Sequence, residues 1–451
     1  MEKVFRLRER GTTIRKEVLG GVITFVSMVY ILAVNPSILS AAGMDPAAVF
    51  TATAISAAAA TLFMAFFANY PIALASGMGL NAFFAYSVCI PLAEAGVQNP
   101  WEVALAAVLC EGLIFIVLTL CKFREALVND VPKNLKMGIT AGIGLFIALI
   151  GFEGSGLVVA DPSTVVALGS LASPQAVLFM VGLLLTAVLY HYKVPGYILW
   201  GILVTWVLGM IAQLAGWYVV DPEAGVYSLF PDFSNGLGIT APYFMDFDFG
   251  YAASHIVDFA IVVFSLLFID MFDTAGGLIG IAYKGEMLAE DGRLPRANRA
   301  LMADAVGTVV GACTGTSTVT SYIESATGVA AGARTGLASL VTGFLFLLAI
   351  FLSPVFLAIP TFATAPALVL VGILMASAFK EIDFTEDIAA SLGAFMAIAM
   401  MSFTYSIANG IMFGVLSFVI VRVFQGRAKD VAPIMWIAAV LFAIRIATLV
   451  I

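Results

Sequence analysis

Apolar runs of about 20 residues, each long enough to cross a bilayer as a helix, follow one another along nearly the whole 451-residue chain. A soluble core cannot hide that much apolar surface. Hydrophobic residues make up 62% of the chain and charged residues 11%, against about 25% charged in soluble domains. The fold class expected is an all-α polytopic membrane protein. Disorder, fibrous repeats and a secreted disulfide scaffold are excluded. A net charge of -8 with no isolated basic patch excludes a dedicated nucleic-acid binder. Cys89, Cys110, Cys121 and Cys313 lie in or beside apolar runs with no CxxC pair, and His191 and His255 are too few for a histidine-rich metal site.

Spans are expected near 17–40, 48–68, 72–91, 101–121, 134–153, 175–191 and 195–215, then, after a polar stretch at 216–250, near 252–281, 300–314, 315–333, 336–358, 364–380, 386–401 and 404–425. A last apolar run, 431–450, is left over. The distribution of Lys and Arg supports this count. With the basic head MEKVFRLRERGTTIRKE in the cytoplasm, Lys122, Arg124, Lys133, Lys136, Lys193, Lys284, Arg293, Arg296, Arg299, Arg334, Lys380, Arg422, Arg427 and Lys429 all fall on the cytoplasmic side. The outer loops carry Asp45, Glu94, Glu102, Asp161, Asp221, Glu223 and Asp232 instead. Only Arg445, in the leftover run, is unassigned. That run is expected to span the membrane or to lie in its interface, with Arg445 favouring an interfacial or packed helix.

Seven is odd, so a second set of seven spans runs in the opposite sense, the inverted repeat of secondary transporters. The third and tenth spans, at matching places in the two halves, are interrupted. NYPIALASGMGLNAFFAYSV (69–88) carries a proline and an SGMG cluster, and GACTGTSTVTSYIESATGVA (311–330) opens with residues suited to extended chain. Such breaks point to a midplane site. Extended backbone at that depth must be buried in protein or line a cavity.

An ionisable group at bilayer depth costs ~2.5–3.5 kcal/mol on insertion scales and so marks function. The eighth span contains Asp258, Asp270 and Asp273, the last two on one helix face; the tenth contains Glu324 and the fourth Glu111. No basic residue is expected at matching depth in the eighth span. At least one carboxyl is therefore expected to hold a proton part of the time, and a pair sharing a proton titrates as a unit. The alternative for each acid is a helix–helix hydrogen bond or a cap, which suits Glu111 and Asp258 better than Asp270 and Glu324. Asn81 opens the helical half of the third span. Phe83, Phe84 and Tyr86 offer rings for stacking on a planar ligand, and Thr316, Ser317, Thr318 and Thr320 offer hydroxyls beside the break, most of them expected to serve the backbone locally.

GMGLNAFFAY, FIDMFDTAGGLIG and TSTVTSYIESATGVAAGARTGL resemble the AzgA-like branch of the nucleobase–cation symporters, the purine permeases for adenine, guanine and hypoxanthine. The similarity runs from KEVLGGVITFVSMVYILAVNP onward. It implies a UraA-like fold of 14 transmembrane segments in a 7+7 inverted repeat, with short strands in segments 3 and 10. A cytoplasmic segment 1–16 would precede core part 17–133, gate part 134–215, an extracytoplasmic loop 216–251, core part 252–358, gate part 359–425 and the apolar segment 426–451. The resemblance implies that Asn81, Asp270 and Glu324 bind substrate between the strands. Gly77, Phe83, Thr320, Tyr322 and Ile323 would stand around it, with backbone near Ala75–Gly77 and Tyr322–Ile323. Asp270, Asp273 and Glu324 would couple protons. The function implied is proton symport of a purine nucleobase into the cell by elevator-like movement of core against gate. It implies an integral protein of the cytoplasmic (inner) membrane with its N-terminus in the cytoplasm. No cofactor and no nucleic acid are expected, the coupling ion is H+, and the resemblance leaves room for a homodimer.

Two rivals are weighed. An anion carrier of the SulP type shares the architecture but wants positive charge at its centre, not acids. An intramembrane aspartyl-type enzyme built on Asp270 and Glu324 would leave the inverted repeat and the broken spans unexplained. No GxxxxGK[ST] motif is present, so transport is expected to be secondary.

Overall fold

The computed structural model describes residues 2–121, 131–161, 164–221, 226–233, 239–285, 287 and 294–450. Lys122, Arg124, Arg293 and Glu223 lie outside the described residues. The chain forms helices α1 (Ile14–Ala42), α2 (Pro46–Ala68), α3 (Met78–Glu94), α4 (Pro100–Leu120), α5 (Lys133–Gly154), α6 (Pro174–His191) and α7 (Tyr197–Leu214). It continues through α8 (Ile256–Lys284), α9 (Ala297–Thr314), the short α10 (Ser325–Ala330), α11 (Gly336–Leu357), α12 (Thr361–Glu381), α13 (Ile388–Phe403), α14 (Ile407–Phe424) and α15 (Pro433–Val450). Among the described residues, nine helices are long and apolar enough to cross a membrane. Strand β1 (Leu74–Ser76) precedes α3 and β4 (Val319–Ser321) precedes α10, while β2 (Val158–Asp161) and β3 (Val165–Leu168) form a separate antiparallel hairpin after α5. Nothing in the composition of 158–168 had marked that hairpin.

Helix starts follow local chemistry. Asp45 accepts from the Ala48 amide at 3.1 Å with Pro46 in the first turn, and Ser173 accepts from the Ala176 amide at 3.2 Å ahead of Pro174. One cap is assembled from afar. Glu17, fully buried in the first turn of α1, accepts from the amides of Arg334, Thr335 and Ala338 at 2.7, 3.3 and 3.2 Å. Its carboxylate thereby satisfies the N-terminus of α11. This contact joins KEVLGG to GARTGL, two of the stretches that carry the family resemblance.

The helices pack in two groups. In one, α9 lies against α4 and α2, and α11 against α2 and α1, with α8 on α4; in the other, α5 packs against α12 and α13, α13 against α14, and α6 against α7 and α12. The α5–α12 crossing depends on Gly144 and Gly372. A Cβ on Gly372 would meet the Gly144 carbonyl oxygen at 2.5 Å, so only glycine permits that approach.

The leftover apolar run is helix α15, which packs on both α14 and α8. Arg445 forms an ion pair with Asp258 in the first turn of α8. Asp258 thus has a partner 187 residues away in the chain, beyond any local pattern. Asp258→Ala and Arg445→Ala should each lower the melting temperature of the purified protein. The double variant should lose less than the two single losses added together, because the first change already removes the pair. Strict additivity would show that the pair contributes nothing.

Candidate functional site

Strands β1 and β4 meet in the interior of the protein, antiparallel, with Leu74 opposite Ser321, Ala75 opposite Thr320 and Ser76 opposite Val319. The Tyr322 amide donates to the Ala73 carbonyl at 3.0 Å and the Gly77 amide to the Thr318 carbonyl at 3.1 Å, extending the ladder at both ends. Both strands are buried. Hydroxyls from neighbouring helices meet polar groups that the ladder leaves over. Thr61 on α2 donates to the Leu74 carbonyl at 3.1 Å and accepts from its amide at 2.9 Å. Thr308 on α9 donates to the Val319 carbonyl at 3.0 Å, and Ser325 accepts from the Ala73 amide at 3.0 Å. Buried backbone without such partners would be costly at this depth.

The residues leading into β4 are tied down one by one. Asn35 on α1 donates to Thr53 at 2.7 Å and to Thr316 at 2.8 Å, and Thr316 also meets the Ser76 hydroxyl at 2.9 Å. Ser317 donates to Asn81 Oδ1, and Thr318 donates to Glu111 Oε2 at 2.6 Å. These hydroxyls hold the strand to α1, α3 and α4 rather than serving their own backbone. Glu111 is thus an anchor for the strand, reached by a helix-to-strand hydrogen bond of the kind the sequence left open. The Asn81 Nδ2 group is buried with no hydrogen-bond partner among the described residues. A lost partner of that kind costs about 1–3 kcal/mol unless a ligand or water supplies one.

Three carboxyl groups from α8 and α9 and one from the turn before α10 converge beside the strands. Asp270 is fully buried and Thr274 Oγ1 lies 3.0 Å from its Oδ1. Asp304 on α9, also fully buried, lies 2.8 Å from the same hydroxyl, and Thr320 in β4 lies 2.7 Å from it. Asp273 is exposed, and is within electrostatic reach of Asp304 and Glu324. Glu324 is half-buried, and Tyr30 on α1, buried in the core, donates to its Oε1 at 2.7 Å. Tyr197, at the start of α7, is also within electrostatic reach of Glu324. Ile323 is 57% exposed although the flanking Tyr322 is buried. Asp273, Glu324 and Ile323 therefore border open space.

Several expected site residues turn out to be committed elsewhere. The Tyr322 amide is held by strand pairing and its hydroxyl donates to the Ser76 carbonyl at 2.6 Å, so neither group is left for a ligand. Phe83 and Phe84 are buried in a π-helical stretch of α3 and present no open ring face. Tyr86 packs edge-on against Tyr405. Gly77 stands where a side chain would collide: a Cβ there would lie 2.6 Å from Thr320 Cγ2 and 3.5 Å from Asp273 Oδ2. Sequence reading missed Tyr30, Thr274 and Asp304. The aspartate was open to notice as an acid inside the expected span 300–314.

A helical membrane body broken at its centre by two short strands, with carboxyl groups gathered beside them, has the form of a transporter. The comparisons agree. The chain belongs to the Permease family, the xanthine/uracil permeases, whose family model matches residues 15–413; its members are transporters and not enzymes. A putative permease of Methanocaldococcus jannaschii is 45% identical over 99% of this chain and 98% of its own length. The adenine permease AdeP of Escherichia coli is 40% identical over 99% of this chain and 96% of its own. The guanine/hypoxanthine permease PbuG of Bacillus subtilis is 42% identical over 98% of each chain. Among solved structures, the transmembrane domain of the cyanobacterial bicarbonate transporter BicA superposes with a TM-score of 0.65 at 17% identity, covering 88% of this chain and 97% of that one. That likeness shows the shared fold.

Gly77→Ala should force Thr320 or the strand itself to move, an overpacking cost of about 1–3 kcal/mol. Uptake of substrate should be lost while the protein remains in the membrane. Uptake at the wild-type rate would show that the strand contact does not matter to the site.

Proposed function

We propose that this permease imports purine nucleobases by proton symport across the cytoplasmic membrane. The observation that carries the reading is the gathering of carboxyl groups beside the strand pair, with Asp273 and Glu324 bordering open space and Asp270 buried behind them. Relatives at 40–42% identity over nearly the whole chain carry the names adenine permease and guanine/hypoxanthine permease. A purine edge presents ring N–H donors together with carbonyl or ring-nitrogen acceptors. Tyr30 occupies one oxygen of Glu324, and the other would accept an N–H from the purine. The buried amide of Asn81 would donate to a purine acceptor. Ile323 and Gly77 would form apolar and backbone surface against the ring, while Thr320, Tyr322 and Phe83 would shape the site from behind. Asp270 would hold the coupling proton, with Asp273 exchanging it with water.

In the full reading the chain has 14 segments in a 7+7 inverted repeat, α1 to α14, with β1 and β4 opening segments 3 and 10. The first packing group would be the core domain and the second the gate. The proton would lower the net negative charge of the core site and the purine would hydrogen-bond the carboxylate that remains, and the core could then move against the gate, carrying both inward down the proton gradient. The N-terminus would lie in the cytoplasm. An anion carrier on the same fold is the second reading, favoured only by the likeness to BicA. An anion would face the carboxyl groups directly, and charge repulsion disfavours that.

Asp270→Ala and Glu324→Ala should each abolish uptake of labelled purine in cells lacking their own purine permeases, with the variant shown in the membrane by immunoblot. Normal uptake by either would overturn the assignment of that residue.

A further inference from the structure

We propose that the Thr274 hydroxyl is the element through which a proton shared by Asp270 and Asp304 is coupled to the substrate-bearing strand β4. The inference rests on the transport reading above and adds to it Thr274 and Asp304, which the sequence did not point to. Thr274 Oγ1 has three oxygen neighbours: Asp270 Oδ1 at 3.0 Å, Asp304 Oδ1 at 2.8 Å and Thr320 Oγ1 at 2.7 Å. All four side chains are buried, to 1% exposure or less. A hydroxyl has one hydrogen to donate and two lone pairs to accept with. It can donate to one of these neighbours, and Thr320 can donate to it. The remaining carboxyl can bond to it only by bringing a hydrogen of its own. Asp270 and Asp304, on α8 and α9, therefore carry at least one proton between them in this arrangement.

When that proton leaves, two carboxylates face a hydroxyl that can satisfy only one of them. The other is buried and repelled, and Thr274 must release it. Thr320 bonds to the same hydroxyl, so the change is felt in β4, opposite Ala75 and against Gly77. The other titratable groups around this cluster are Asp273 on α8, Glu324 and Tyr322 beyond β4, Glu111 on α4 through Thr318, and Tyr30 on α1. Asp273, the exposed one, offers the route by which the proton reaches water. Thr274 and Asp304 are buried behind the strand and touch no open space, which makes them positioning and proton-holding residues rather than purine contacts.

The test uses the purified full-length protein in proteoliposomes, with labelled hypoxanthine, in two modes. Accumulation under an imposed pH gradient requires proton coupling; exchange against internal unlabelled hypoxanthine requires none. Thr274→Val removes the hydroxyl at nearly constant shape, and Thr274→Ser keeps it. Accumulation by Thr274→Val should fall by about tenfold or more, and should lose its dependence on external pH, while exchange continues. Thr274→Ser should behave as wild type. Asp304→Asn, which fixes a neutral group at that position, should match Thr274→Val and carries the test if the valine variant does not insert. Wild-type accumulation by both Thr274→Val and Asp304→Asn overturns the proposal. So does loss of exchange along with accumulation in both, since the cluster would then belong to the purine site. Wild-type accumulation that ignores the pH gradient overturns the symport reading itself, and is seen without either variant.

Discussion

A three-residue pairing of two strands inside a membrane protein is the contact on which the rest of this structure depends. Backbone in that position has no water to fall back on, so each N–H and C=O of β1 and β4 needs a protein partner. The ladder between the strands supplies part of the need, and Thr61, Thr308 and Ser325 supply more from three different elements. Ser339 on α11 donates to the carbonyls of Tyr70 and Ile72 on the approach to β1. The strand pair therefore dictates which helices must surround it and which of their faces must carry hydroxyls. Just past β4 the chain turns Ile323 toward open space.

Glu324 sits at that turn, and the acids of α8 and α9 gather beside it. Asp270 and Asp304 are buried and joined through Thr274, while Asp273 and Glu324 border the opening. Carboxyl groups this close in a low-dielectric interior repel one another when ionised, and they favour states in which protons or a hydrogen-bonding ligand reduce the charge. On the proposed reading that preference would be the physical basis for coupling, with proton and polar ring together satisfying the site better than either alone. Tyr30 contributes by holding one oxygen of Glu324, which fixes the direction in which the other can act.

Much of this was legible in the residues, for reasons that can be named. The proline–SGMG and TSTVTS interruptions stand out because they break apolar runs; β4 lies within the second, and β1 ends on the serine that opens the SGMG cluster. Asp270, Asp273 and Glu324 stand out because charge is rare at bilayer depth. Asp45-Pro46 and Ser173-Pro174 announce helix starts by local chemistry. The parts not legible are those made by distant partners. Arg445 finds Asp258, Glu17 caps α11, and Thr318 finds Glu111, each across more than 180 residues. Tyr30 looks like any tyrosine in an apolar helix until its hydroxyl is seen on Glu324. Phe83 shows the converse: an aromatic next to a binding motif looked available for stacking, but its helix turns the ring into the core.

The central claim is that protons and purines move together through this site. The most direct measurement is uptake of labelled hypoxanthine by cells lacking their own purine permeases, with and without a protonophore, and with excess unlabelled adenine, guanine or uracil. The account predicts uptake that collapses with the protonophore and is competed by purines but not by uracil. Uptake that is indifferent to the protonophore, or that yields to uracil as readily as to purines, would contradict it.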